Sequence, residues 1–139
     1  MKISKKAEYA IKAVITIARN TQNKPLQISE ISKTGSIPIK FLEQILLSLK
    51  NNGILKSKRG AKGGYLLAKS SNQITIRMIL EIIDGPFDPV GLNFGNDLGA
   101  GLEKCFFDMV EMVNEHLNQF TIKGVLEIEE PTDLLAFEI

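Results

Sequence analysis

Two short amphipathic segments meeting at Gly35 constrain this chain more than any other feature. The first, from about Ser29 to Thr34, turns Ile28 and Ile31 inward and stops at Gly35, a natural helix terminator. The second opens at Ser36-Ile37-Pro38, where serine caps and proline suits a first turn. It runs from Pro38 to Asn52 and stops at Gly53. Its apolar stripe is Phe41, Leu42, Ile45, Leu46 and Leu49, and its other face shows Lys40, Glu43, Gln44, Ser48 and Lys50. Two helices joined by about three residues around a glycine predict a helix-turn-helix. A helix precedes the pair over residues 4–20, capped by Ser4, with Ala7, Ala10, Ile11, Val14, Ile17 and Ala18 at spacings of three and four. After it, Ile54 to Arg59 reads as a strand, Gly60 to Gly64 as a tight turn holding Lys62, and Tyr65 to Ala68 as the returning strand. Helix, helix-turn-helix and basic hairpin, in that order, predict a mainly α winged helix.

The rest of the chain reads as a second module. Ile74 to Asp84 predicts a helix capped near Thr75 that buries Ile76, Ile79, Leu80 and Ile83. A glycine-rich stretch follows, and then Leu102, Phe106, Met109, Val110, Val113 and Leu117 repeat at helical spacing. That stripe is long and apolar for a lone surface helix, so it is expected to pack against a symmetry mate in a homodimer. Thr121 caps a last short helix through about Glu127, ahead of an acidic tail. The expected organisation is a winged-helix domain over 1–84, a glycine-rich loop over 85–101, and a dimerisation helix with acidic tail over 102–139.

Composition decides what such a fold touches. The net charge is only +1, which alone argues against a nucleic-acid protein. Residues 1–69, however, hold 14 basic and 3 acidic side chains, and residues 70–139 hold 3 and 13. An imbalance this strong between halves points to an anionic partner on the basic side. One cysteine allows no intramolecular disulfide, no secretory leader is legible, and no apolar run approaches a membrane span, so a soluble cytoplasmic protein without membrane contact is expected. A single histidine, a single cysteine and no phosphate-binding GxxxxGK[ST] loop leave catalysis poorly provisioned, and no enzyme is expected.

The first turns of the helix from Pro38 offer Ile39, Lys40, Glu43 and Gln44, the surface that meets base edges in a helix-turn-helix. Lys40 suits phosphate or guanine, Gln44 adenine, and Glu43 a cytosine amino group. In the hairpin, Lys56, Lys58, Arg59 and Lys62 surround glycines, with Arg59 and Lys62 at the tip for phosphates or the narrow minor groove. The competing readings are an ordinary solvated helix face, a flexible turn and a nucleotide-phosphate loop; no helix N-terminus follows these glycines as the last would require.

These residues resemble a known family. The start Met-Lys-Ile-Ser-Lys-Lys-Ala-Glu-Tyr-Ala, the run Phe41-Leu42-Glu43-Gln44-Ile45 and the wing from Arg59 to Leu67 are similar to the Rrf2 family of bacterial transcription regulators over about residues 1–130. The resemblance implies a homodimer and a palindromic double-stranded operator, and the expected activity is that of a repressor. It also implies that Glu43 and Gln44 read bases, that Arg59 enters the minor groove, and that Lys5 and Lys6 flank the phosphate backbone.

Many members hold an iron-sulfur cluster on three cysteines before the long helix. Here only Cys105 stands there, and the other two positions, by the six-residue spacing of that branch, are Gly99 and Asn93. One thiolate per chain falls short of a cluster, so no cofactor and no metal is expected, although Asp97, Asp108 and His116 offer alternative ligands. Cys105 is either a small apolar residue or a redox-sensing thiol, and His116 an ordinary helical histidine or a sensor. The segment from Asp84 to Val90 is similar to the clusterless branch that contains the cysteine-metabolism repressor, and that resemblance implies a possible metabolic-enzyme partner, such as cysteine synthase, docking at Ile139. A protein-interaction module and a small-molecule or metal sensor acting through the glycine-rich loop remain open as alternatives.

Overall fold

The structure, a computed structural model, describes residues 2–20, 22–87 and 99–128. The glycine-rich stretch beyond Phe87, the tail after Ile128 and the docking residue Ile139 lie outside these. The element order is α1 (Lys5–Arg19), α2 (Ile28–Gly35), α3 (Ile39–Asn51), β1 (Leu55–Lys58), β2 (Gly64–Leu67), α4 (Ile76–Asp84), α5 (Gly99–Gln119) and α6 (Ile122–Ile128).

Helix α1 starts where the Ser4 side chain accepts from the Ala7 amide. Its buried face is Ala7, Ala10, Ala13, Val14, Thr16 and Ile17, whereas Ile11 and Ala18, expected inside, are half-buried on its flanks. The small alanines let α2, α3 and α4 approach closely. Thr16 is accommodated because its hydroxyl donates to the Lys12 carbonyl. Helix α2 is opened by a reciprocal capping box between Gln27 and Glu30, which the apolar periodicity of the segment does not announce.

The turn between α2 and α3 corrects two expectations. Gly35 is the last helical residue, and the left-handed position falls on Ser36 (φ 53°, ψ 49°). Glycine is needed at 35 for space: a Cβ there would stand 2.9 Å from Cδ1 of Ile37 and 3.3 Å from the Thr16 hydroxyl. Ser36 therefore does not cap α3, whose first flanking residue is Pro38 with no side-chain cap. Ile37 is buried in the turn, its carbonyl accepting from the Ser32 hydroxyl at 2.6 Å. Helix α3 buries Leu42, Ile45, Leu46 and Leu49, but Phe41, placed in that stripe by periodicity, is 40% exposed.

Strands β1 and β2 pair antiparallel from Leu55↔Leu67 to Lys58↔Gly64. Leu26 adds a bridge on the other edge of β2, exchanging hydrogen bonds of 3.0 and 2.8 Å with Tyr65. Gly64 permits that approach: its φ is +144°, and a Cβ would lie 2.3 Å from the Leu26 carbonyl oxygen.

The core joins α1, α2 and α3 to Ile54, Leu55, Ile74, Ile79 and Ile122. Each fully buried leucine or isoleucine contributes roughly 1.5–3 kcal/mol of transfer free energy. In α4, Ile79 and Leu80 are buried while Ile76 and Ile83 are only half-buried. The chain returns to this core after α5: Ile122 donates to the Ile74 carbonyl at 2.8 Å and Ile76 to the Phe120 carbonyl at 2.9 Å. Helix α5, 21 residues long, has no buried residue.

Candidate nucleic-acid interface

The outward face of α3 follows from what it buries. With Leu42, Ile45, Leu46 and Leu49 inside, Lys40, Glu43, Gln44, Leu47 and Asn51 face out, and all are exposed. Ile39 is 48% and Leu47 56% exposed. An apolar side chain of that exposure on this face suits a thymine methyl, and sequence reasoning passes over Leu47 when it treats the face as polar only.

The wing is set beside this face. An open groove is lined by Glu43 of α3, by Gln27, Ile28 and Ser29 at the start of α2, and by Lys58, Arg59 and Tyr65 of the hairpin. A second groove brings Lys58, Arg59 and Lys62 together with Lys24 and Glu30. Lys56 and Lys58 are two apart on one strand and so share a face. The four hairpin cations Lys56, Lys58, Arg59 and Lys62 are all exposed. The turn closes with the Gly63 amide on the Gly60 carbonyl at 2.9 Å, and Gln27 Nε2 donates to the Ala61 carbonyl at 3.2 Å. The tip is thereby tied to the N-terminus of α2, a restraint with no sequence signal because the partners are 34 residues apart.

A chain of cations and rings joins α1 to α3. Lys5 Nζ lies 5.5 Å from the Tyr9 ring centroid, Tyr9 lies 5.9 Å from Phe41, and Lys40 Nζ lies 5.1 Å from Phe41. Phe41, exposed on this face, forms part of the ladder, in which the negative faces of the rings attract both lysines. Lys5 also contacts Glu8 at 3.1 Å, and Lys12 contacts Glu8 at 3.3 Å. The hydrogen bond from Lys5, helped by Lys12, holds the Glu8 carboxyl below the usual carboxylate range, and the same bond raises the Lys5 ammonium. Lys6 is half-buried, in contrast to exposed Lys5. Ser4 is fixed from the far side, its amide donating to Asp84 at 3.1 Å and its hydroxyl to the same carboxylate.

The residues assigned from sequence to the second module lie elsewhere. Leu102, Phe106, Val110, Val113 and Leu117 are half-buried, and Met109 is 40% exposed. Cys105 is an exposed free thiol in the second turn of α5. Asp108 pairs with Lys104 at 2.8 Å, and the His116 ring sits edge-on to Phe120 at 5.0 Å. Asn93 and Asp97 lie outside the described residues. Among the described residues, no three His, Cys, Asp or Glu side chains converge as a metal site, and no helix is long and apolar enough to cross a membrane.

Known proteins share this arrangement. The family model Rrf2, described as an iron-dependent transcriptional regulator, matches residues 3–128. The regulator IscR of Pectobacterium carotovorum subsp. carotovorum is 30% identical over 139 residues, covering 96% of this chain and 84% of its own. Among solved structures, CymR, the global cysteine regulator of B. subtilis, superposes with a TM-score of 0.83 at 28% identity, covering 94% of this chain and 99% of its own. IscR of T. potens gives 0.78 at 25% identity, covering 95% and 90%. With the family model matching nearly the whole described chain and a winged-helix fold shared with these structures, the chain belongs to the Rrf2 family of DNA-binding transcriptional regulators.

Proposed function

We propose that the chain is a homodimeric repressor that recognises a palindromic operator, with α3 in the major groove and the wing along the adjacent backbone and minor groove. The observation that carries this reading is the groove in which Glu43 stands beside Lys58 and Arg59. A base-reading carboxylate and two phosphate-seeking cations share one open surface there. Glu43, Gln44, Ile39 and Leu47 supply sequence discrimination. Lys5, Lys40, Lys56, Lys58, Arg59 and Lys62 neutralise phosphates, with Lys6 in support, and release counterions. An isologous dimer repeats the surface about a two-fold axis, which is why the operator is palindromic.

The donor set does not fit an iron-sulfur cluster. The chain has one cysteine, Gly99 has no side chain to offer, and Asp108 is engaged by Lys104. A cluster needs several thiolates, so the regulator is read as clusterless and its signal as arriving by another route.

Selection from a randomised duplex library tests the operator reading. The native chain should enrich two inverted half-sites about one helical turn apart, and Glu43→Ala should lose preference at one base pair in each half while keeping the spacing. A library that stays unenriched, or a variant that selects identical sites, contradicts it. Repression is read separately, by transcription from a promoter carrying the selected site.

A further inference from the structure

Helix α5 carries two stripes. Leu102, Phe106, Val110, Val113 and Leu117 form the half-buried one, and α5 packs on α4 of its own chain. Nearly a quarter-turn away run Cys105, Met109, Met112 and His116, all exposed, with Met112 at 71%. Their spacings of four, three and four residues keep them on one face of the helix. All four are soft or borderline metal donors: a thiol, two thioethers and an imidazole.

The order of those spacings reads the same in both directions. About a two-fold axis between Val110 and Glu111, a second, antiparallel α5 sets Cys105 opposite the partner's His116 and Met109 opposite the partner's Met112, and it does so twice. Gly101 falls opposite the partner's Phe120, and a Cβ on Gly101 meets nothing of its own chain within 4 Å, which leaves room for a ring. A second copy is therefore the occupant that this face fits, since only a self-complementary surface forms an isologous pair. Within one chain the ligand set stays incomplete, because Cys105 and His116 stand eleven residues, about 16 Å, apart along the helix and cannot meet at one ion.

We propose that the α5 seam of the homodimer holds two Cu(I) ions. Each is bound by Cys105 and Met109 of one protomer with His116 of the partner subunit, and with the partner's Met112 as the fourth donor. The inference rests on the dimer reading given above. On binding, the Cys105 thiol releases its proton to solvent and the thiolate sulfur, two thioether sulfurs and one imidazole nitrogen donate to the cation; copper stays in the cuprous state. Two thioethers in the set select Cu(I) over Zn(II), which takes thiolate, imidazole and carboxylate.

The test uses the full chain, reduced and anaerobic, titrated with Cu(I) as its acetonitrile complex against bathocuproine disulfonate, with sedimentation velocity on the same samples. The expected result is two Cu(I) per dimer, abolished by Cys105→Ser. Met109→Leu with Met112→Leu, which keeps the seam apolar, should leave the dimer intact and weaken Cu(I) binding by about tenfold or more. A mixture of Cys105→Ser and His116→Ala chains should recover one site per mixed dimer, because each mixed dimer holds one intact pair across the seam. A dimer that binds no Cu(I), or that is indifferent to the methionine changes, or a mixture without recovery, overturns the site and leaves the dimer standing. A monomer at every concentration overturns both. The register is tested by oxidation: the two Cys105 residues are eleven positions apart along the seam, about 16 Å, and cannot join. Facile Cys105 to Cys105 crosslinking overturns the pairing.

Discussion

The winged helix and α5 are built on opposite principles. In the first, alanines and branched side chains from α1, α2, α3, α4 and α6, from β1 and from the segments beside them close one core, and the charges lie outside it. In α5, 21 residues bury none, and its apolar side chains are shared between a half-buried stripe and an exposed one. The winged helix is complete as a single chain, while α5 presents an exposed apolar stripe that, in the dimer proposed above, a second copy covers. Substitutions should therefore act through stability in the one and through association in the other.

The largest effect should separate the two. Leu46→Ala removes a fully buried side chain of α3 and should cost about 3 kcal/mol in denaturant unfolding. Met112→Ala, on the exposed stripe of α5, should cost under about 1 kcal/mol at high protein concentration, where the proposed dimer is saturated, yet make Tm depend more steeply on concentration. Equal losses, both independent of concentration, would erase the distinction.

Next in size is Gly64→Ala. Its φ of +144° and the 2.3 Å approach to the Leu26 carbonyl forbid a Cβ, so the Leu26 bridge must open at a cost of about 2–3 kcal/mol. Hydrogen exchange should accelerate at the Leu26 and Tyr65 amides first. Gly60→Ala, where a Cβ meets nothing within 4 Å, loses only the positive-φ preference and should cost about 1 kcal/mol. If the two variants are equally stable, close approach is not what requires glycine at 64.

The smallest effect concerns Glu8. Because Lys5 and Lys12 hold its carboxyl below the usual range, the folded pKa is depressed. The pair's contribution is thus present above the ordinary carboxylate pKa and is lost as pH falls through the lower folded value. At neutral pH Glu8 is charged and partly neutralises both lysines. Glu8→Gln should tighten binding to any duplex and steepen its salt dependence by no more than about 0.9 per phosphate newly met in each protomer. Weaker binding would show that Glu8 positions these lysines for DNA instead of holding them from it.

Much of this organisation is legible because it is local. Ser4 and Thr75 as caps, the three- and four-residue spacing in α1, α3 and α5, and the glycine turn of the wing are all written within a few residues. What escapes the sequence depends on distant partners. Leu26 has no strand pattern of its own and becomes one bridge only because Gly64 lets it approach. Phe41 satisfies the apolar period of α3 yet turns out toward Tyr9, far earlier in the chain. Ser36 takes the left-handed position that the sequence reading assigns to Gly35, and glycine stands at 35 because Ile37 and Thr16 fill the space a Cβ would need. The charge imbalance points to the half of the chain that carries the exposed hairpin cations. The grouping of Glu43 with Lys58 and Arg59 needs the packing of wing against α2.

The central claim is that the basic module binds duplex DNA by phosphate neutralisation through the wing. It is tested most directly by the slope of log K against log salt concentration for the native chain and for Arg59→Ala with Lys62→Ala. Each phosphate no longer neutralised should lower the slope by about 0.9, so a dimer deprived of all four wing-tip cations should fall by about 3.6, with similar weakening on specific and unrelated sequences. An unchanged slope, with unchanged affinity at every salt concentration, would contradict the account.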